Sequence, residues 1–108
     1  MSLKRIGPFN EDDAGDALTV SFYEDDGTTE VDLTGGGTWT AVWRQRRIGE
    51  PASAATETAM TVDDNDATLV WTAALLATPG DYWAQAKATN GTITRRSRRF
   101  IFTVEPSV

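Results

Sequence analysis

The sequence predicts an all-β domain made of short strands, and three observations carry that expectation. Apolar residues recur with a period of two, not 3.6, along every stretch that patterns at all. Turn dipeptides punctuate those stretches at short intervals: Asp26-Gly27, Pro79-Gly80 and Asn90-Gly91. No segment sustains a helical apolar face for more than one turn. The length of 108 residues fits one domain, and the four Trp within a 40% hydrophobic composition give it the material for a packed core. Residues 1–108 are read as a single domain without internal repeats.

The elements follow in chain order. Ala17 to Tyr23 alternates, with Leu18, Val20 and Phe22 on one face, as a half-buried strand does. The run Glu24-Asp25-Asp26-Gly27-Thr28 turns the chain, Val31-Asp32-Leu33 touches the core briefly, and Thr34-Gly35-Gly36-Gly37 is a loop, since consecutive glycines lose too much backbone entropy inside an element. Thr38 to Arg46 is a second strand, with Trp39, Ala41 and Trp43 on one face and Thr40, Val42 and Arg44 on the other. The polar stretch from Arg47 to Thr56 reads as a loop. Glu57 to Val62 and Ala67 to Ala73 are strands joined by the turn Asp63-Asp64-Asn65-Asp66. Ala74-Leu75-Leu76-Ala77 suits one helical turn before Thr78-Pro79-Gly80 stops it. Tyr82 to Thr89 alternates Tyr82, Ala84, Ala86 and Ala88 against Trp83, Gln85 and Lys87. Asn90-Gly91 then folds the last strand, Thr92 to Val104, back upon it.

Composition excludes much chemistry. The chain has no Cys, so it has no disulfide, thiolate zinc site, iron–sulfur cluster or cysteine nucleophile. It has no His, so the usual general base near neutral pH and any Ser-His-Asp or Cys-His mechanism are missing as well. No catalysis, cofactor or metal is expected. No stretch approaches the apolar length of a membrane span, and Met1 to Phe9 lacks the apolar run of a secretory signal. The formal net charge of -6 disfavours nucleic acid as a partner. That charge is unevenly spread. Acids crowd residues 1–34, whereas residues 82–108 hold Glu105 alone against Lys87, Arg95, Arg96, Arg98 and Arg99. The two ends are suited to pair within one fold or head-to-tail between copies.

The most specific segment is Leu75-Leu76-Ala77-Thr78-Pro79-Gly80-Asp81-Tyr82-Trp83-Ala84. It resembles the corner before strand F of immunoglobulin-like domains, where a Tyr hydroxyl bonds back to the corner backbone. The resemblance implies an immunoglobulin-like antiparallel β-sandwich of about seven strands. Ala84 and Val20 would stand where antibody domains carry their cysteines, with Trp39 or Trp43 filling the space beside them. A wider resemblance rests on Asp32-Leu33-Thr34-Gly35, Pro79-Gly80-Asp81-Tyr82, the Asn90-Gly91 hairpin and Phe100-Ile101-Phe102-Thr103-Val104. It is to the immunoglobulin-like domain at the N-terminus of phage baseplate upper proteins. That domain usually opens a longer protein with a C-terminal receptor-binding or scaffold portion. The sequence in hand holds the domain alone, which favours a free-standing virion module.

Four candidate sites emerge. The acidic groups Asp12-Asp13 with Asp16, Asp25-Asp26, and Asp63-Asp64 with Asp66 offer oxygen ligands for Ca²⁺, but Asp and Asn favour turns for local backbone reasons, and that reading is preferred. Paired carboxylates could serve a glycosidase only across a shaped cleft, which nothing here implies. In Arg95-Arg96-Ser97-Arg98-Arg99, strict alternation would put Arg96 and Arg98 on the core face of Phe100 and Phe102, so a β-bulge or break within 95–99 is expected. Trp83 keeps phase with Gln85 and Lys87 and should face out; with Arg44 and Arg46 on the adjacent strand it forms a Trp/Arg patch suited to contact. The expected function is a non-catalytic phage or prophage virion module in tail, baseplate or head decoration, made in the host cytoplasm. It would dock other virion proteins or copies of itself through Trp83, Arg44, Arg46, Arg95, Arg96, Arg98 and Arg99. The alternative is a carbohydrate- or cell-surface-binding module, which would expose Trp39, Trp71 or Trp83 together along a groove.

Overall fold

The period-two pattern resolves into eight strands of one continuous, strongly curled sheet in the computed structural model, which describes residues 3–24, 26–35 and 37–107. Asp25 and Gly36, which belong to two of the expected turns, lie outside the described residues. The strands are β1 (Lys4–Asn10), β2 (Ala17–Ser21), β3 (Thr40–Arg47), β4 (Thr56–Asp63), β5 (Asp66–Val70), β6 (Gly80–Thr89), β7 (Thr94–Arg96) and β8 (Phe100–Glu105). Their order is β1-β8-β6-β3-β4-β5-β2, with β7 also on β6. The all-β, cysteine-free expectation therefore holds. The expectation of an antiparallel sandwich of about seven strands is met only in part, because the eight strands form one curled sheet and β1 runs parallel to β8. Residues 3–10 carry no clear strand signal in sequence, since Gly7-Pro8 interrupts the alternation, and the register with β8 shifts between Ile6 and Phe9.

The sheet stays continuous because β4 divides its backbone between two neighbours. Residues 56–60 pair with β3 and residues 61–63 pair with β5. Beyond β2 the curl nearly closes at one end. Tyr23 bridges Arg96, its amide donating to the Arg96 carbonyl at 3.2 Å, and the Arg95 guanidinium pairs with Glu24 at 2.9 Å. Asp26 holds that turn from within, accepting from the amides of Thr28 and Thr29 and from the Thr29 hydroxyl, and these bonds pull its carboxyl from the ordinary 3.8 to about 2.

The concave face buries the core. β6 contributes Ala84, Ala86 and Ala88, and their small side chains leave room for large rings from facing strands. Trp43 and Trp71 meet edge-to-face at 5.6 Å, Trp43 lies 5.4 Å from Phe100, and Trp71 packs against Phe9 and Phe102. Such pairs add roughly 0.5–1.5 kcal/mol each beyond the area they bury. Val20 and Ala84, the positions matched to the antibody cysteines, are both buried in this same core.

The corner before β6 behaves as its sequence implies. Leu75 and Leu76 donate to the carbonyls of Thr72 and Ala73, giving a single turn, and both side chains are buried. The Tyr82 hydroxyl donates to the Thr78 carbonyl at 2.6 Å while its ring stacks on Phe102 at 5.0 Å. Burial raises its phenol above the usual range. Tyr82→Phe keeps the stack and loses the bond, so urea denaturation should show about 1 kcal/mol of destabilisation with the slope unchanged.

Candidate functional site

Strand pairing sets out the convex face row by row, because directly paired residues project to the same side. Arg46 pairs with Trp83, Trp83 with Ile101, and Ile101 with Arg5, giving a row Arg46–Trp83–Ile101–Arg5 across β3, β6, β8 and β1. The next row reads Glu57–Arg44–Gln85, and the one beyond it Ala59–Val42–Lys87–Arg96. Trp83 is 37% exposed, as its phase predicts for a ring on the solvent side of a central strand.

A β-bulge falls where the arginine run required one. Arg96 pairs with Lys87 and Phe100 with Ala84, so Ser97, Arg98 and Arg99 stand opposite only Gln85 and Ala86. The extra residue resets the phase and returns Phe100 to the core. Ser97 completes the break. Its buried hydroxyl accepts from the Ala86 amide at 2.9 Å and donates to the Arg98 carbonyl at 2.8 Å, and the Gln85 amide holds the Ser97 carbonyl at 2.9 Å. The same reset turns Arg99 to the convex side, beside Trp83.

Between these rows and the loop after β3 lies an open groove of about 420 Å³. Trp83, Gln85, Arg44 and Arg46 line it together with Arg99 and the loop residues Ala52 and Ala55. The Arg44 guanidinium is already oriented, donating to the Ala52 carbonyl at 3.0 Å. A smaller hollow of about 110 Å³ continues past Arg44 and Gln85 to Lys87 and Arg96, with Glu57 at its wall. Among the described residues, the ion pair within bonding distance is Arg95–Glu24; Arg44, Arg46, Arg96 and Arg99 make none, with Glu57 the neighbouring acid across from Arg44.

Five of the seven proposed contact residues thus share one surface: Trp83, Arg44, Arg46, Arg96 and Arg99. Arg95 does not join them. It is paired across the core face from Lys87's neighbour Ala88 and serves the Glu24 closure. Arg98 is half-buried within the bulge and lines neither hollow. The sequence reading missed four contributors. Arg5 was hidden on an unrecognised strand, Ala52 and Ala55 in a loop, and Ile101 inside an apolar run whose outward half only the bulge defines.

The other candidates disperse. Asp66 accepts from the Ser21 hydroxyl at 2.9 Å, and Asp13 accepts from the Asn10 amide at 2.9 Å. Asp32 holds Thr34, which lowers its carboxyl from the ordinary range. Among the described residues no three acidic side chains converge as a cation site would need. Trp39 and Trp71 are buried, the former donating to the Gly35 carbonyl at 2.7 Å, so these two rings do not share an exposed surface with Trp83. No protein-family model matches the chain, and a search of curated proteins found no match to it.

Proposed function

We propose that the chain is a non-catalytic contact module with an immunoglobulin-like fold, built to dock other virion proteins or copies of itself through the convex face centred on Trp83. The single observation that carries the contact reading is the exposed Trp83, set between Arg46 and Ile101 on a central strand and surrounded by arginines without carboxylate partners among the described residues. Tryptophan and arginine are the residues most enriched among interface hot spots.

The immunoglobulin-like reading is supported by strand order. β8-β6-β3 corresponds to G-F-C, β5-β2 to E-B, and β4 crosses from C to the D position beside E. In that reading the continuous sheet is a sandwich whose two halves are joined by a strand that switches layers. The Tyr82–Thr78 bond and a buried Trp43 on the C strand support it further. The virion assignment, tail, baseplate or head decoration, draws on the resemblance to phage baseplate upper proteins.

The experiment is to express the complete gene neighbourhood and purify the particles. The wild-type chain should be incorporated. Trp83→Ala should fall out of particles by tenfold or more, as for a hot-spot anchor, while its melting temperature stays within a few degrees of wild type. Absence of the wild-type chain from particles removes the virion reading, and undiminished incorporation of Trp83→Ala removes the contact reading.

A further inference from the structure

The charge layout narrows what the groove accepts. The chain carries ten cationic side chains. Register and groove lining assign Arg5, Arg44, Arg46, Lys87, Arg96 and Arg99 to the convex face. Two carboxylates share that face, Glu57 beside Arg44 and Asp81 beside Thr103, and others lie elsewhere. Glu11, Asp12, Asp13 and Asp16 lie between β1 and β2, Asp63 and Asp66 flank the β4–β5 turn, and Glu24 is taken by Arg95. A net acidic chain thus gathers six of its ten cationic side chains on one face, in excess over the two carboxylates there.

On the reading of this face as a contact surface, we propose that the groove over Trp83 is a carboxylate-binding slot that takes an extended acidic segment of a protein partner. Its volume lies within the roughly 300–1,000 Å³ of clefts that enclose small ligands, which suits a few side chains and not a folded element. Arginine presents a planar fork matched to the two oxygens of a carboxylate. Arg44 and Arg99 supply such forks from the two sides of β6, one from β3 and one from the bulge before β8. Arg44 is held in place by the Ala52 carbonyl before anything binds, which lowers the ordering cost of association. Trp83 forms an apolar floor against which the aliphatic part of an Asp or Glu side chain packs, and Gln85, half-buried, is fixed by Ser97.

The test uses the purified chain and a short capped peptide alternating aspartate with alanine. Trp39, Trp43 and Trp71 are buried, so emission changes on titration report Trp83. The acidic peptide should bind, and its affinity should fall as salt rises. Arg44→Ala and Arg99→Ala should each weaken it roughly tenfold, as expected for loss of one charge-assisted bond. Lys4→Ala removes the same charge outside the groove and should leave affinity unchanged. Melting curves of each variant separate lost binding from lost folding. Equal binding of the asparagine–alanine counterpart, tighter binding of oligothymidylate, full competition by inorganic phosphate, or indifference to both arginine variants would each overturn the proposal. The two readings fail separately. No acidic-peptide binding, with Trp83→Ala still excluded from particles, removes the carboxylate slot and leaves the contact surface standing.

Discussion

Replacing Trp43 with alanine should be the most damaging single substitution in the domain. Trp43 is fully buried and its ring lies between Trp71 and Phe100. Truncating a buried aromatic to alanine costs about 3–5 kcal/mol through lost transfer energy and the cavity left behind. A second loss follows from the polar side of the indole. Its Nε1 donates to Gln45 Oε1 at 3.0 Å, and Gln45 Nε2 donates to the Leu75 carbonyl at 2.8 Å, with Gln45 itself buried. Without Trp43 the Gln45 oxygen loses its donor in a dry site, at a further cost of about 1–3 kcal/mol. Together these approach the roughly 5–15 kcal/mol that stabilises an ordinary domain, so Trp43→Ala should be largely unfolded near physiological temperature by circular dichroism. Trp43→Phe separates the two contributions, since it keeps most of the ring and loses the bond. Pairing it with Gln45→Leu removes the orphaned Gln45 oxygen but takes the donor from the Leu75 carbonyl, so the double variant should recover little of the loss. A destabilisation below about 1 kcal/mol for Trp43→Ala would contradict the central place given to this ring.

Gln45 shows where the sequence stopped being informative. It stands in phase with Ala41 and Trp43, yet a glutamine at the end of a strand reads equally well as a solvated terminus. Only the arrival of the Leu75 carbonyl from a segment 30 residues away gives its amide a reason to be buried. Local alternation, by contrast, placed Val20, Phe22, Trp39, Trp71 and Ala84 inward, and all five are buried. Periodicity reports the face of a strand, not its neighbour across the sheet, so the parallel β1–β8 pairing and the division of β4 between two partners were not legible. The site was legible where phase and charge coincide. Trp83 with Arg44 and Arg46 needed only alternation and adjacency. Arg95 and Arg99 could not be told apart without the register of the bulge, which sends one to Glu24 and the other to the groove.

That register hangs on Ser97, and Ser97→Ala should destabilise the fold and weaken the groove together. In a regular ladder the Ala86 amide would meet a backbone carbonyl. The bulge removes that partner, and the Ser97 hydroxyl substitutes for it at 2.9 Å in a position with no solvent exposure. Alanine leaves the Ala86 amide buried and unpaired, which costs about 1–3 kcal/mol. For a domain of this size each kilocalorie lowers the melting temperature by roughly 4–8 °C. The chain could escape by deleting the bulge, but a one-residue slip would turn Phe100 outward or an arginine inward, and either is costlier than the orphaned amide. The bulge should therefore persist in a loosened form. Hydrogen exchange should show faster opening at the Ala86 amide, while Trp83 and Phe102, beyond the bulge, keep their environments. Arg99 and the Gln85 amide both depend on the Ser97 segment for their placement, so acidic-peptide affinity should fall in the same variant although no groove residue is altered. Ser97→Ala with an unchanged melting temperature and full Ala86 protection would mean that another acceptor replaces the hydroxyl, and the bulge would then rest on the chain's backbone alone.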